Sequence, residues 1–120
     1  MSYRLLLYEF CAAEGERLDY RLPSPIQHNN LPYDVLTYDH DCECPVLKNT
    51  SDGWIADLSC FGEEDCREVL LQVCRTRADY LAANKDAIVR RVGIGVYAEE
   101  MRRVQDGIEE ATVYVCEPTL

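Results

Sequence analysis

The clearest pattern of apolar positions runs from about Glu63 to Asn84 and predicts a long amphipathic helix. Apolar and long side chains recur there at the i, i+3, i+4 and i+7 spacing of one buried helical stripe, at Cys66, Val69, Leu70, Val73, Cys74, Arg77, Tyr80 and Leu81. Three acidic residues crowd the first turn, where unpaired N–H groups and the helix dipole stabilise negative charge. We expect this to be the main helix of the fold.

The first half of the chain carries patterns typical of β-strands. Residues 3–10 are rich in leucine and aromatic side chains, and residues 18–22 alternate apolar and polar positions, which predicts a hairpin of two strands. Residues 23–33 contain three prolines and an Asn-Asn pair, so we expect a loop there. A short strand is predicted at 35–38, followed by a polar loop, and a clearer strand at 54–61.

The last third of the chain has mixed patterns that leave two interpretations open. Residues 88–97 are rich in strand-forming side chains, and residues 110–116 read as a strand. Residues 98–105 favour either a short helix that stops at Asp106-Gly107 or a strand joined to the next by a turn at that pair. The predicted fold is α+β in a single domain of residues 1–120. An antiparallel sheet of about four to five strands carries the 63–84 helix on one face, with a second short helix near 98–105 in the first interpretation.

The charge of the chain changes this picture most. Acidic residues outnumber basic ones by 22 to 12, a net charge of −10. From Asp34 to Asp65 nine acidic residues are opposed only by Lys48. Nucleic acids and anionic membranes are themselves polyanions, so we expect the protein to bind neither of them directly. A surface loaded in this way is suited to a basic protein partner, although acidic surfaces also serve solubility.

The acidic stretch supplies the candidate partner-binding residues. Carboxylates steer association and set specificity, and an aromatic side chain among them can anchor an interface. Helix-dipole stabilisation alone can explain the three acids at 63–65, so the loop at 39–43 is the stronger candidate. The predicted set is Asp34, Asp39, Asp41, Glu43, Asp52, Glu63, Glu64, Asp65 and Tyr38.

The cysteine and histidine residues are candidate metal ligands, redox groups or nucleophiles. Seven cysteines in a chain without a recognisable secretion signal predict mostly free, buried thiols. A tetrahedral zinc site or redox module is the alternative use of four of these residues, but the usual Cys-x₂-Cys spacing is absent. We therefore expect no metal, no cofactor and no enzyme activity. The four residues of that alternative are His40, Cys42, Cys44 and Cys60.

The N-terminus and the hydropathy of the chain bear on its location. The run Leu5-Leu6-Leu7 is too short for a signal peptide and lacks a cleavage site, and no apolar run approaches the roughly 20 residues of a membrane span. We expect a protein of the cytoplasm, that of a host bacterium if the resemblance described next holds.

Three short segments near the ends of the chain carry a resemblance to a known family. Tyr8-Glu9-Phe10, Leu18-Asp19-Tyr20-Arg21-Leu22-Pro23 and Ala111-Thr112-Val113-Tyr114-Val115-Cys116 resemble parts of phage-encoded type I-F anti-CRISPR inhibitors of the acidic, DNA-mimicking kind. Together they cover about a sixth of the chain. The resemblance implies a non-enzymatic inhibitor that docks on a Cas effector subunit, where a ribonucleoprotein surveillance complex grips DNA.

Two other functions remain open from the sequence. An immunity protein that neutralises a nuclease toxin would use the same acidic surface, because its partner also presents a basic cleft. A small metal-binding or redox module would instead use the histidine and cysteines named above.

Overall fold

The computed structural model describes the backbone of residues 2–116 and the side chains of residues 2–112, and these residues form an α+β domain. Its helices are α1 (Tyr3–Glu14), α2 (Glu63–Ala83), α3 (Lys85–Val92) and α4 (Ile94–Cys116). Its strands are β1 (Asp19–His28), β2 (Leu31–Asp39), β3 (Cys44–Asn49) and β4 (Trp54–Asp57). They form one antiparallel sheet in the order β1-β2-β3-β4. Short 3₁₀ turns at Gly15–Arg17 and Leu58–Cys60 follow α1 and β4.

The predicted main helix is confirmed as α2. It ends one residue before Asn84, whose backbone N–H donates to the carbonyl of Tyr80 at 3.1 Å. Most of the predicted stripe is buried, with Val73 fully so, whereas Tyr80 is 49% exposed. The helical spacing of apolar residues in the sequence therefore predicted both the position of α2 and its buried face.

The strand predicted at 3–10 is wrong, because these residues begin α1. The buried positions of this helix, Leu7, Phe10, Cys11 and Glu14, follow the i, i+3, i+4, i+7 spacing. The side chain of Ser2 accepts a hydrogen bond from the amide of Leu5 at 3.1 Å and caps the N-terminus. Three consecutive leucines hid the helical period, although leucine is a good helix former.

The loop predicted at 23–33 is also wrong, since β1 runs on through both of its prolines. The register shifts between Arg21 and Ile26, so the prolines fall in an irregular stretch of an edge strand, where a missing N–H is tolerated. The buried side chain of Gln72 replaces a pairing strand there. Its Oε1 accepts from the amide of Ser24 at 2.9 Å and its Nε2 donates to the carbonyl of Ser24 at 3.0 Å.

The first hairpin of the sheet is formed by β1 and β2, and its turn is the Asn29-Asn30 pair. Both asparagines have positive φ, at 52° and 65°, as a two-residue type I′ turn requires. The predicted strand at 35–38 is confirmed within the longer β2. The predicted strand at 54–61 is confirmed only as far as Asp57, and the expected polar loop before it contains β3.

The C-terminal third is helical, so the strands predicted at 88–97 and 110–116 are wrong. The predicted helix at 98–105 is part of α4, which continues through Asp106-Gly107 instead of stopping or turning there. A Cβ at position 107 would lie 2.6 Å from Sγ of Cys74, so glycine permits the close approach of α4 to α2. Gly93 ends α3 with φ at 92°, a conformation that favours glycine.

One core joins the sheet to the helices. Tyr20, Leu36, Leu47 and Ala56 are aligned across the four strands, and both leucines are fully buried. Helices α1 and α4 pack against α2, which also contacts β1. The predicted α+β class with a four-stranded antiparallel sheet is thus confirmed, but the described residues form four helices where one main helix was expected. None of the described helices is long and apolar enough to cross a membrane.

Candidate partner-binding surface

The turn between β2 and β3 presents the most prominent of the predicted acidic residues. Oδ1 of Asp39 accepts hydrogen bonds from the amides of Asp41, at 3.0 Å, and Cys42, at 3.4 Å, and thereby fixes the turn. Asp41 and Glu43 are exposed, and Glu43 has φ at 52°. Half-buried Tyr38 supports the turn through an edge-on contact with the ring of His40. The backbone of the turn is therefore fixed, and the side chains of Asp41 and Glu43 extend from it into solvent.

Asp57 lies at the same end of the sheet, one strand further on. Its Oδ1 accepts from the amide of Ser59 at 2.8 Å and from the hydroxyl of Tyr8 at 3.2 Å. The hydrogen bond from Ser59 is the largest reason that the pKa of Asp57 falls below its ordinary value, so the carboxylate stays charged. Burial, followed by the neighbouring Asp57, raises the pKa of the Cys44 thiol to about 11.

Asp19 belongs to the same end of the sheet, although sequence reasoning did not include it among the candidates. It is exposed at the start of β1 and pairs with Thr37, in a row that continues through Val46 to Asp57. The Cα atoms of Asp19 and Asp57 are thus three inter-strand spacings apart, about 14 Å. We call Asp19, Asp39, Asp41, Glu43 and Asp57 together the acidic sheet end. Only the pairing of strands, not proximity in sequence, could have added Asp19 to the set.

Asp34 and Asp52 lie towards the opposite end of the sheet, roughly 17 Å away along a six-residue strand. Asp34 accepts from Oγ1 and the amide of Thr50, at 2.8 and 3.2 Å. Partial burial opposes these bonds, but together with Arg21 they leave the pKa of Asp34 below its ordinary value. Asp52 accepts from the side-chain amide of Asn49 at 3.4 Å. Asp34 and Asp52 therefore shape the β3–β4 turn and do not join the acidic sheet end.

The three acids at 63–65 lie in the first turn of α2 and have local roles there. Glu63 accepts from the backbone amides of Tyr3 and Arg4, the latter at 3.1 Å, and so joins the N-termini of α1 and α2. Glu64 pairs with Arg67 at 2.6 Å. Asp65 shares the first turn with both. Glu63 and Glu64 thus have partners inside the fold.

Ion pairing distinguishes the acidic sheet end from three of the predicted residues outside it, while Asp52 and Asp65 also lack a described ion pair. Asp34, Glu63 and Glu64 each pair with an arginine, whereas none of the ion pairs among the described side chains includes a member of the acidic sheet end. Carboxylates without a paired cation keep their attraction for an external positive charge.

An exposed aromatic side chain lies on the edge strand β4. Trp54 and Ile55 are 58% and 56% exposed, respectively, next to the turn that contains Asp52. Phe61, in contrast, is buried in the core, edge-on to Tyr33 with ring centroids 5.5 Å apart. Trp54 and Ile55 are neighbours in the strand and both are exposed, because β4 is short and lies at the edge of the sheet.

The histidine and cysteines of the metal alternative do not form a metal-binding group among the described residues. Within the described part of the chain, no group of three or more histidine, cysteine or acidic side chains is arranged to hold a metal ion. Cys42 and Cys60 are exposed and Cys44 is half-buried, while Cys11, Cys66 and Cys74 are buried free thiols. The expectation of mostly buried thiols thus holds for half of the described cysteines, and the side chain of Cys116 lies outside the described residues.

A buried ion-pair cluster joins three helices and went unrecognised in the sequence. The side chain of Glu14 is fully buried and pairs with Arg77 at 3.8 Å and with Arg103. Both arginines also pair with Glu100, at 3.6 and 2.6 Å. The hydroxyl of Tyr20 donates to Glu14 at 3.4 Å, and burial followed by the charge of Glu14 raises the pKa of Tyr20. Because every charge here has an internal partner, the cluster supports packing and offers no site to a ligand.

Comparison with known proteins identified no relative. No family model, no curated protein sequence and no solved structure matches the chain.

Proposed function

We propose that this protein is a non-enzymatic binding protein that occupies the basic, nucleic-acid-binding surface of another protein through its acidic sheet end. One observation carries the proposal: the exposed side chains of Asp19, Asp41 and Glu43 extend from a paired strand and an ordered turn, and no described ion pair includes them or the half-buried Asp39 and Asp57. A surface with lysines and arginines spaced to bind phosphates would gain the attraction that these carboxylates do not use internally.

The rigidity of the turn favours this role. Asp39 holds the turn through two backbone hydrogen bonds, so little conformational freedom remains to be lost when a partner binds. Negative charge concentrated at one end also steers a basic partner towards that end during diffusion, which raises the association rate at low salt. We expect the salt dependence of binding to be correspondingly strong.

The resemblance to anti-CRISPR inhibitors gives the proposal a specific partner, a type I surveillance complex whose DNA-binding groove would be blocked. Two of the three segments that carry the resemblance lie in α1 and α4 instead of strands. The support for the proposed mode of binding is thus the placement of the charges and not the secondary structure of these segments. The resemblance indicates which complex to test first.

A competition experiment with target DNA tests this assignment. We expect the protein to displace fluorescently labelled duplex DNA from a purified type I-F surveillance complex. The triple variant Asp19→Lys, Asp41→Lys, Glu43→Lys should compete at least about tenfold less well, because each reversal replaces an attraction with a repulsion. These three residues were chosen because they have no described hydrogen-bonding role that the substitution would remove.

A matched variant provides the control for net charge. Asp79→Lys, Glu99→Lys, Glu109→Lys makes the same change in total charge at exposed positions of α2 and α4 and should compete as well as the wild type. Equal loss in both variants would show that only net charge matters. If the wild-type protein leaves the bound DNA undisturbed, the surveillance complex is not its partner.

A further inference from the structure

A cavity between α1, α2 and α4 is separate from the acidic sheet end. Its volume is about 350 Å³, within the range of small-molecule sites. Leu6, Phe10 and Leu70 form apolar walls. The thiol of Cys74, only 1% exposed, adds to them, and burial raises its pKa to about 12 so that it stays neutral. The cavity is thus suited to an apolar body.

The rim of this cavity is acidic. Glu9, Asp106 and Glu110 line it and are exposed to solvent, one from α1 and two from α4. None of the ion pairs among the described side chains includes any of them. We call these three residues the cavity rim. Three uncompensated carboxylates around an apolar opening favour a ligand that carries a positive charge at one end.

Arg103 is the only basic residue among the described residues that line the cavity, and its charge is already paired. Its guanidinium pairs with the carboxylates of Glu14 and Glu100, the latter at 2.6 Å. It also lies over the ring of Phe10, 5.0 Å from the centroid. The lining therefore offers no free positive charge to an anionic ligand.

We propose that the cavity between α1, α2 and α4 binds an organic cation, an amine whose apolar body fills the cavity and whose ammonium group lies at the cavity rim. The apolar walls set the shape of the ligand and the cavity rim sets the sign of its charge. This site is independent of the proposed binding of a basic protein, because it uses different residues on different elements.

Three compounds of one shape but different charge test the proposal. We would titrate the protein with 4-phenylbutylamine, 4-phenylbutan-1-ol and 4-phenylbutyric acid, measuring affinity by calorimetry and location by NMR shifts. The amine should bind about tenfold more tightly than the alcohol, because the three carboxylates of the cavity rim attract its ammonium group. The expected preference is no larger because each exposed carboxylate contributes little. The acid should bind least. Shifts should centre on the methyl groups of Leu6 and Leu70 and on the amide of Gly107.

Variants separate the role of the cavity rim from that of the walls. Glu9→Gln, Asp106→Asn, Glu110→Gln should bring the affinity for the amine down to that for the alcohol. The matched neutralisation Asp79→Asn, Glu99→Gln, Glu109→Gln should leave the preference intact. Since these positions are exposed, both variants are expected to fold, which thermal unfolding would check. Equal affinity for all three compounds, no binding of the amine at millimolar concentration, or shifts centred elsewhere would each overturn the proposal.

Discussion

Glu14 at the end of α1 carries a charge that the packing of the helices requires. Its carboxylate is fully buried and faces the guanidinium groups of Arg77 and Arg103, which come from α2 and α4. Burying these charges is costly, and only their mutual contacts offset that cost. Glu14 therefore links α1 to both α2 and α4, and Glu100 adds a second link between α2 and α4.

Replacing this carboxylate with an amide should destabilise the protein. We expect Glu14→Gln to lower the free energy of unfolding by about 3 kcal/mol, near the lower end for a broken buried pair because Glu100 still contacts both arginines. Urea unfolding near neutral pH measures the change. The control Glu16→Gln is exposed and should change stability by less than about 0.5 kcal/mol. Equal stability of the two variants would contradict this role for Glu14.

The sequence around Glu14 conceals this role. A glutamate in the segment Ala12-Ala13-Glu14-Gly15 is typical of a solvated helix end, and the arginines of α2 and α4 that pair with it are more than 60 residues away along the chain. The role of Gly107 is concealed in the same way, because an Asp-Gly pair ordinarily indicates a turn. Only the nearby Sγ of Cys74 explains why a glycine lies inside this helix. Contacts between distant residues decide both cases.

At the scale of elements, Glu63 links two helices that are far apart in sequence. It receives the amides of Tyr3 and Arg4 at the N-terminus of α1 while it occupies the first turn of α2. Partial burial raises its pKa, but the hydrogen bonds from these amides outweigh burial and hold the pKa below the ordinary value of 4.5. The charged form is thus the one that the fold prefers.

This preference predicts a pH dependence of stability. Because the pKa of Glu63 is lower in the folded protein, its contribution is complete above about pH 4.5 and is lost as the pH falls through the folded value. Glu63→Gln should therefore destabilise the protein most near neutral pH, by about 1 kcal/mol, and hardly at all near pH 3. Urea unfolding at several pH values measures the difference between the two proteins.

Glu64→Gln is the matched control for that experiment. It occupies the same helix turn, but its carboxylate is 69% exposed and contacts only a neighbouring arginine among the described side chains. Its effect should be small at every pH. A constant difference between wild type and Glu63→Gln from neutral pH to pH 3 would show that the interaction of charge with the α1 amides is unimportant.

Elements were predictable where the apolar period was regular and undisturbed. The helix α2 and the beginning of β1 have such periods and were found. The helix at 3–14 was missed because a run of leucines masks its period, and β1 was cut short because its prolines lie in an irregular edge stretch that Gln72 completes from another element. Strand-like composition misled the prediction from residue 88 onwards, where packing against α2 outweighs local preference.

At the scale of the whole molecule, folding redistributes the acidic stretch. Nine acidic residues that are neighbours in sequence divide into four at the acidic sheet end, two near the β3–β4 turn and three at the start of α2. Asp19 joins the first group from outside the stretch. The concentration of charge was predictable from the sequence, but its division was not, because strand pairing and helix capping determine which carboxylates remain unpaired.

This division of the acidic residues limits the proposed partner-binding surface to the acidic sheet end. Asp34 and Glu63 have internal partners, so their replacement should affect folding more than binding. Glu64 pairs with Arg67 at an exposed position, so its replacement should change both only slightly. Asp41 and Glu43 are exposed and absent from the described ion pairs, so their replacement should affect binding more than folding.

Comparative capture of the partner tests this claim most directly. Immobilised wild type, the lysine variant at Asp19, Asp41 and Glu43, and the lysine variant at Asp79, Glu99 and Glu109 would be exposed to lysate of the cells in which the protein acts. We expect wild type and the second variant to retain one nucleic-acid-binding partner that added DNA releases, and the first variant to lose it. A ribonucleoprotein complex would indicate the anti-CRISPR role, and a single nuclease would indicate toxin immunity. Undiminished retention by the first variant, or a partner that DNA does not release, would contradict the claim.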